Sequence, residues 1–188
     1  MDLKNVARIV SIVGHPFVLV PLAIVFATRD AARSRGPVLA AVLGTMAILA
    51  VYVVRKWRRG ELTDVDVSTR EQRPRVFFIG IAASGAACLA MIATKQSASV
   101  IRGTAIACLV LVAMFFVNRF LLKASLHSAF AAIAAGIVWR ASPLLSIAFA
   151  VVAVIVAWSR VRYGRHTASE VTAGLAIGAV AALGFSSG

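Results

Sequence analysis

Long uninterrupted apolar blocks run through this chain, and they constrain the fold more than any other feature. A helix needs about 20 apolar residues to cross the hydrocarbon core of a bilayer, with roughly 17 as a lower limit. Backbone in lipid must satisfy its own hydrogen bonds, which admits helices or closed barrels. Seven blocks are candidate spans: 10–27, 37–54, 76–93, 104–121, 127–139, 143–158 and 167–185. The first contains His15, Pro16 and Pro21, so it is expected to be kinked or broken. The fifth and sixth fall short of the lower limit. Arg140-Ala-Ser-Pro143 between them is a turn signal. The chain is 61% hydrophobic and 14% charged, well outside the range of a soluble domain. The expectation is an all-α, polytopic transmembrane helix bundle of six to seven spans. Residues 1–188 read as a single transmembrane domain, with no cleavable signal peptide.

The net charge is +13. In a soluble protein that would suggest nucleic acid. Here the cations lie between apolar blocks, where anionic lipid head groups and phosphate substrates are the simpler partners. Counted by side, fourteen of the 20 lysines and arginines lie with the N-terminus and the 55–75, 119–125 and 159–166 segments, and six lie opposite. The positive-inside rule puts the richer side in the cytoplasm, which suits a bacterial inner-membrane protein. Cys88 and Cys108 both fall inside apolar blocks and read as small core residues.

Three polar clusters interrupt the apolar pattern. Residues 64–75 contain Arg70 and Arg73, three apart and able to share a face, followed by Pro74. They read as a phosphate clamp or as a solvated charged loop. Ser125-Leu126-His127 opens the fifth block, where helix-start N–H groups favour an anion and His127 can donate a proton. The alternative is a helix cap with an interfacial histidine. Residues 159–170 hold Arg160, Gly164, His166, Thr167 and Glu170. His166 and Glu170 are four apart and share a helical face, which suits an oriented histidine nucleophile beside guanidinium groups. Thr167 and Glu170 also form a capping box, and one carboxylate is not expected to serve both purposes. His15 reads as structural. An even number of crossings separates the clusters, so all three are expected on one membrane face. No metal ligand set is evident, and no cofactor is expected.

These residues resemble the type 2 phosphatidic acid phosphatase family. Ser159-Arg160, His166 and Glu170 resemble its third motif, Ser-Arg-x5-His-x3-Asp. Ala124-Ser125-Leu126-His127 resembles its second, Pro-Ser-Gly-His. Arg73-Pro74 resembles the end of its first, Lys-x6-Arg-Pro. The resemblance covers roughly residues 60–185. It implies His166 as the nucleophile, Glu170 as its orienting carboxylate and His127 as the general acid. Arg73, Arg160 and Ser125 would hold phosphate oxygens, with Arg70 and the Leu126 N–H as further contacts. Three departures stand out. Asp66 occupies the first-motif lysine slot, Ala124 and Leu126 replace Pro and Gly, and Glu170 replaces Asp.

The function this implies is a metal-independent lipid phosphatase working through phosphohistidine. Its partners would be a lipid phosphate or diphosphate and the bilayer, with no nucleic acid. Candidate substrates are phosphatidic acid, phosphatidylglycerol phosphate and polyprenyl phosphates. Asp64 and Asp66 raise a magnesium-dependent prenyl transferase as an alternative, although such enzymes need a second aspartate-rich loop. The altered first motif raises another, a non-catalytic lipid-binding relative.

Overall fold

The computed structural model describes residues 2–186. Eight α-helices carry the chain, and no strand occurs among the described residues. They are α1 (Leu3–Val13), α2 (Pro16–Ala27), α3 (Ala32–Arg58), α4 (Arg73–Ala93), α5 (Ala98–Phe116), α6 (Leu126–Val138), α7 (Pro143–Arg162) and α8 (Ala168–Ser186). A 3₁₀ turn at Arg70–Gln72 leads into α4, and a π-turn at Val117–Leu121 ends α5. Five helices are long and apolar enough to cross a membrane, and the bent pair α1–α2 makes six if counted as one span.

The helix boundaries follow local chemistry. The first block is broken, as the prolines suggested, and the two halves meet at 50°. The break falls at Gly14 and His15. Gly14 caps α1, while His15 Nδ1 accepts from the Phe17 N–H and Pro16 occupies the first turn of α2. Pro21 lies inside α2 without ending it. The fifth block forms α6, which has only 13 residues. At 1.5 Å per residue it is about 20 Å long, short of a hydrocarbon core of about 30 Å. Nine of its residues are nonetheless buried, so it is a packed interior helix. The expected turn after it is present: Ser142 caps α7 and Pro143 begins it.

The chain forms two compact units, residues 1–36 with 124–188, and residues 37–123. In the first, α6 and α8 pack side by side and run in the same direction. The Ser125 N–H donates to the Glu170 carbonyl at 3.0 Å, which joins the heads of the two helices. Further along, Gly174 lies against the Ser125 carbonyl, Gly178 against Ala129 and Gly136 against Ala182. Gly174 and Gly178 are four apart on one face, the small-residue spacing that lets membrane helices approach closely. A Cβ at either would meet backbone oxygen. α7 returns between them, with Ser146 Oγ donating to the Ala135 carbonyl at 2.9 Å. α1 packs along α7, and Gly14 lies against Val156. Leu19, Ala23, Ala131, Ala134, Val138, Phe149 and Val156 make the apolar centre of this unit.

In the second unit α4 and α5 pair, with Gly80 against Leu111 and Phe78 against Phe115 at 4.9 Å between ring centroids. The cysteines are half-buried free thiols. Cys88 Sγ donates to the Ile101 carbonyl and Cys108 Sγ to the Ile81 carbonyl, in keeping with a packing role. At the foot of α3, Lys56 donates to Glu61. That contact is the main reason the Glu61 carboxyl is held below its ordinary range. Leu43, Ile48 and Val51 stand exposed along α3, as lipid-facing side chains do.

The α6–α8 contact can be tested directly. Gly174→Ala and Gly178→Ala should each destabilise the protein by about 1–3 kcal/mol, because backbone must shift to admit the methyl group. Gly44→Ala in α3, with nothing within 4 Å of the added Cβ, should be neutral or slightly stabilising. Thermal unfolding in detergent reads the difference. Equal midpoints for all three variants would mean that the two helices part at no cost.

Candidate functional site

The end of the first unit where α6 and α8 begin collects most of the residues singled out in the sequence. Gly164 takes φ 74° and turns the chain at the end of α7. The Arg165 and His166 N–H groups both donate to the Arg160 carbonyl, at 3.0 and 3.2 Å. His166 is thereby tied to the last turn of α7 just before Thr167 opens α8. His166 Nδ1 lies 2.8 Å from Glu170 Oε2, and the histidine side chain is almost wholly buried. The same Glu170 oxygen accepts from the Thr167 N–H at 3.2 Å, and Thr167 Oγ1 accepts from the Glu170 N–H at 3.3 Å. Both halves of the capping box are therefore present. This corrects the expectation that one carboxylate serves either the cap or His166. A carboxylate oxygen accepts more than one hydrogen bond, and the turn geometry presents both donors to Oε2.

The head of α6 is built the same way. Ser125 caps it: its Oγ accepts from the Ser128 N–H at 3.3 Å and from the Ser128 hydroxyl at 3.1 Å. Ser125 and Ser128 are fully buried. The cap and the phosphate contact read from the sequence are compatible, since two accepted bonds leave a hydroxyl its proton to donate. Leu126 is the first helical residue, so its N–H belongs to the unbonded donors of the first turn. His127 follows, buried, and its ring meets the His15 ring edge to face at 4.6 Å.

Arg160 is 2% exposed. Its Nη1 donates to Ser11 Oγ on α1 at 2.6 Å, a short charge-assisted bond. Neither Ser11 nor His15 was singled out as part of the site from the sequence. Both lie in the first apolar block, and their partners are over a hundred residues away. The one available signal was a serine and a histidine within four positions of each other in a lipid-facing pattern.

Arg70 and Arg73 belong to the second unit. Arg73 is buried. Its Nε donates to the Val67 carbonyl at 3.0 Å and its Nη1 to Asn118 Oδ1 at 2.6 Å. Arg70 Nε donates to the Asn118 carbonyl at 2.7 Å. The two arginines thus share Asn118 as a partner. Asn118 sits in the π-turn and its amide Nδ2 donates to the Met114 carbonyl at 2.8 Å. Single π-turns inside α-helices recur at functional sites. Asn118 went unnoticed in the sequence, although a buried amide within an apolar block was a legible anomaly. Val67 adopts φ 48°, unusual for a β-branched residue, and that conformation presents its carbonyl to Arg73. Asp64 organises the same loop. Its carboxylate accepts from the N–H groups of Asp66 and Ser68 and from the hydroxyls of Thr63 and Ser68.

A family model described as the PAP2 superfamily matches residues 118–187. That segment begins at Asn118 and takes in both histidine motifs, and it points to phosphatase-type, hydrolytic chemistry. Arg70, Arg73 and the α1–α2 pair lie outside it. No curated protein and no solved structure matches the chain.

Asn118 gives the prediction of this site. Asn118→Ala removes the acceptor of the buried Arg73 Nη1, while Nε keeps the Val67 carbonyl, and should destabilise the protein by about 1–3 kcal/mol. Asn118→Asp keeps an acceptor for Arg73 and should lose less. Detergent melting curves measure both, and a larger loss for aspartate than for alanine would show that Arg73 does not depend on this acceptor.

Proposed function

We propose that this protein is an integral membrane lipid phosphatase that transfers the phosphoryl group of its substrate to His166. The observation that carries the reading is the contact of His166 Nδ1 with Glu170 Oε2 at 2.8 Å. A carboxylate on Nδ1 favours the tautomer with the proton on that nitrogen, leaving the Nε2 lone pair to attack phosphorus. His166 also lies at the head of α8, where the helix N-terminus favours an incoming phosphate. Glu170 then stabilises the positive charge that forms.

The reaction has two steps. His166 Nε2 forms a bond to phosphorus as the bond to the lipid oxygen breaks, and His127 gives its proton to that leaving oxygen. Water then attacks the phosphohistidine, His127 takes the water proton, and the P–N bond breaks to release inorganic phosphate and neutral His166. The Arg160 guanidinium, the Ser125 hydroxyl and the Leu126 N–H are the phosphate contacts of the first unit. The resemblance gives Arg73 and Arg70, which belong to the second unit, phosphate-binding roles of their own, with Arg70 standing for the lysine that Asp66 replaces. None of these steps requires a metal or cofactor.

The substrate class is a lipid phosphate or diphosphate: phosphatidic acid, phosphatidylglycerol phosphate or a polyprenyl phosphate, with its tail among the helices. The bias of basic residues supports a bacterial inner-membrane location with the site on the cytoplasmic face. The bilayer and the lipid are the partners, and nucleic acid is not one. The engagement of the Asp64 carboxylate by its own loop counts against the prenyl transferase.

Purified protein should release phosphate from a lipid phosphate panel in the presence of EDTA, and His166→Ala should abolish release. Full activity in His166→Ala would overturn the assignment. Lipid binding without turnover or labelled phosphohistidine would favour the non-catalytic relative. Glu170→Gln retains a capping-box side chain, so the melting point should barely move, while turnover should fall by roughly 10²–10⁴-fold. A lost melting transition with turnover per folded molecule intact would assign Glu170 to the cap alone.

A further inference from the structure

We infer that the N-terminal broken span is part of the reaction site, with Ser11 and His15 as positioning residues for Arg160 and His127. The inference rests on the phosphatase reading for the roles of those two partners, but the contacts are those of the first unit itself. α1 and α2 lie outside the matched segment 118–187.

Ser11 is 4% exposed and sits against a guanidinium that is 2% exposed. Its Oγ accepts from Arg160 Nη1 at 2.6 Å across 149 residues of sequence. An arginine binds phosphate through a planar fork, so fixing one of its nitrogens fixes the direction of the others. Ser11 sets the angle at which Arg160 meets an anion.

His15 acts on His127 through its shape and its anchored ring. The Phe17 N–H can only donate, so His15 Nδ1 must accept, and the neutral ring carries its proton on Nε2. This bond anchors the His15 ring at the break between α1 and α2. It meets His127 at 4.6 Å with an interplanar angle of 88°. Such an edge-to-face contact restricts rotation of the second ring. A general acid must hold its nitrogen on the leaving oxygen, and a misplacement of about 1 Å can cost a hundredfold in rate. The 50° bend at Gly14–His15 gives the break a function: it places the serine on one arm and the histidine at the hinge.

The two residues separate in kinetics. With purified protein in detergent and short-chain phosphatidic acid as the probe, Ser11→Val should raise KM roughly tenfold with kcat little changed. Ser11→Thr, of the same volume as valine but with the hydroxyl, should rescue it. His15→Asn keeps a capping side chain for the Phe17 N–H but removes the ring. It should lower kcat by roughly tenfold to a hundredfold and leave KM in place. ¹⁵N spectra of the His127 ring and the Arg160 guanidinium supply a readout independent of turnover. The His127 ring signals should broaden or split in His15→Asn, and the Arg160 signals should shift in Ser11→Val but not in Ser11→Thr. Wild-type kinetics and spectra in Ser11→Val and His15→Asn, with His166→Ala inactive, would overturn the inference and leave the phosphatase reading standing. A wild type that releases no phosphate, with the spectral changes present, would overturn the phosphatase reading while the positioning contacts stand.

Discussion

One backbone hydrogen bond, from the Ser125 N–H to the Glu170 carbonyl, sets the geometry on which the rest of the first unit depends. It joins the heads of α6 and α8, two helices that begin at the same end although their first residues are 42 positions apart and a returning helix lies between them. Close approach is allowed because Gly174 and Gly178 present no side chain where α8 meets α6. In a membrane the hydrophobic effect does little to hold helices together, so association rests on packing and on interhelical hydrogen bonds. Here both act along one seam. The short length of α6 follows from its role: as an interior helix it needs only to carry Ser125 and His127 to the head of α8.

Polar groups in an apolar setting are costly unless each has a partner, and that constraint explains the economy of the site. Glu170 Oε2 accepts from the Thr167 backbone and faces His166 at the same time. Ser125 caps α6 and keeps a proton to donate. In the second unit Asn118 takes Arg73 through its side chain and Arg70 through its carbonyl. Capping and chemistry are not rival explanations for these residues. A helix start supplies N–H groups, a favourable dipole and a fixed side-chain direction, which are what an anion site needs.

The phosphatase reading draws its strength from order as well as composition. A histidine held by a carboxylate is common enough as a structural pair. What gives this one chemical meaning is the arginine at the end of the preceding helix, with the carbonyl of that same arginine accepting the His166 N–H. The loop from Arg160 to His166 cannot move without moving both. Gly164, in the left-handed region, makes that tight connection available.

The sequence by itself determined the class of fold and the local spacing of the candidate site residues. Span length, apolar blocks, proline breaks and the His166–Glu170 spacing are local properties, governed by bilayer thickness and helix periodicity, and they can be read one segment at a time. The break at His15 and the turn at Arg140–Pro143 were legible for the same reason. What only the tertiary structure decided is which distant side chains meet. Ser11 against Arg160, His15 against His127 and Asn118 against Arg73 join residues far apart in the chain, and no local pattern encodes those pairings. Nor could spacing reveal that one Glu170 oxygen serves two donors, because that depends on the path of the turn between α7 and α8. Local propensity chose the helices; packing among them, in a solvent that leaves few polar groups unpaired, chose their partners.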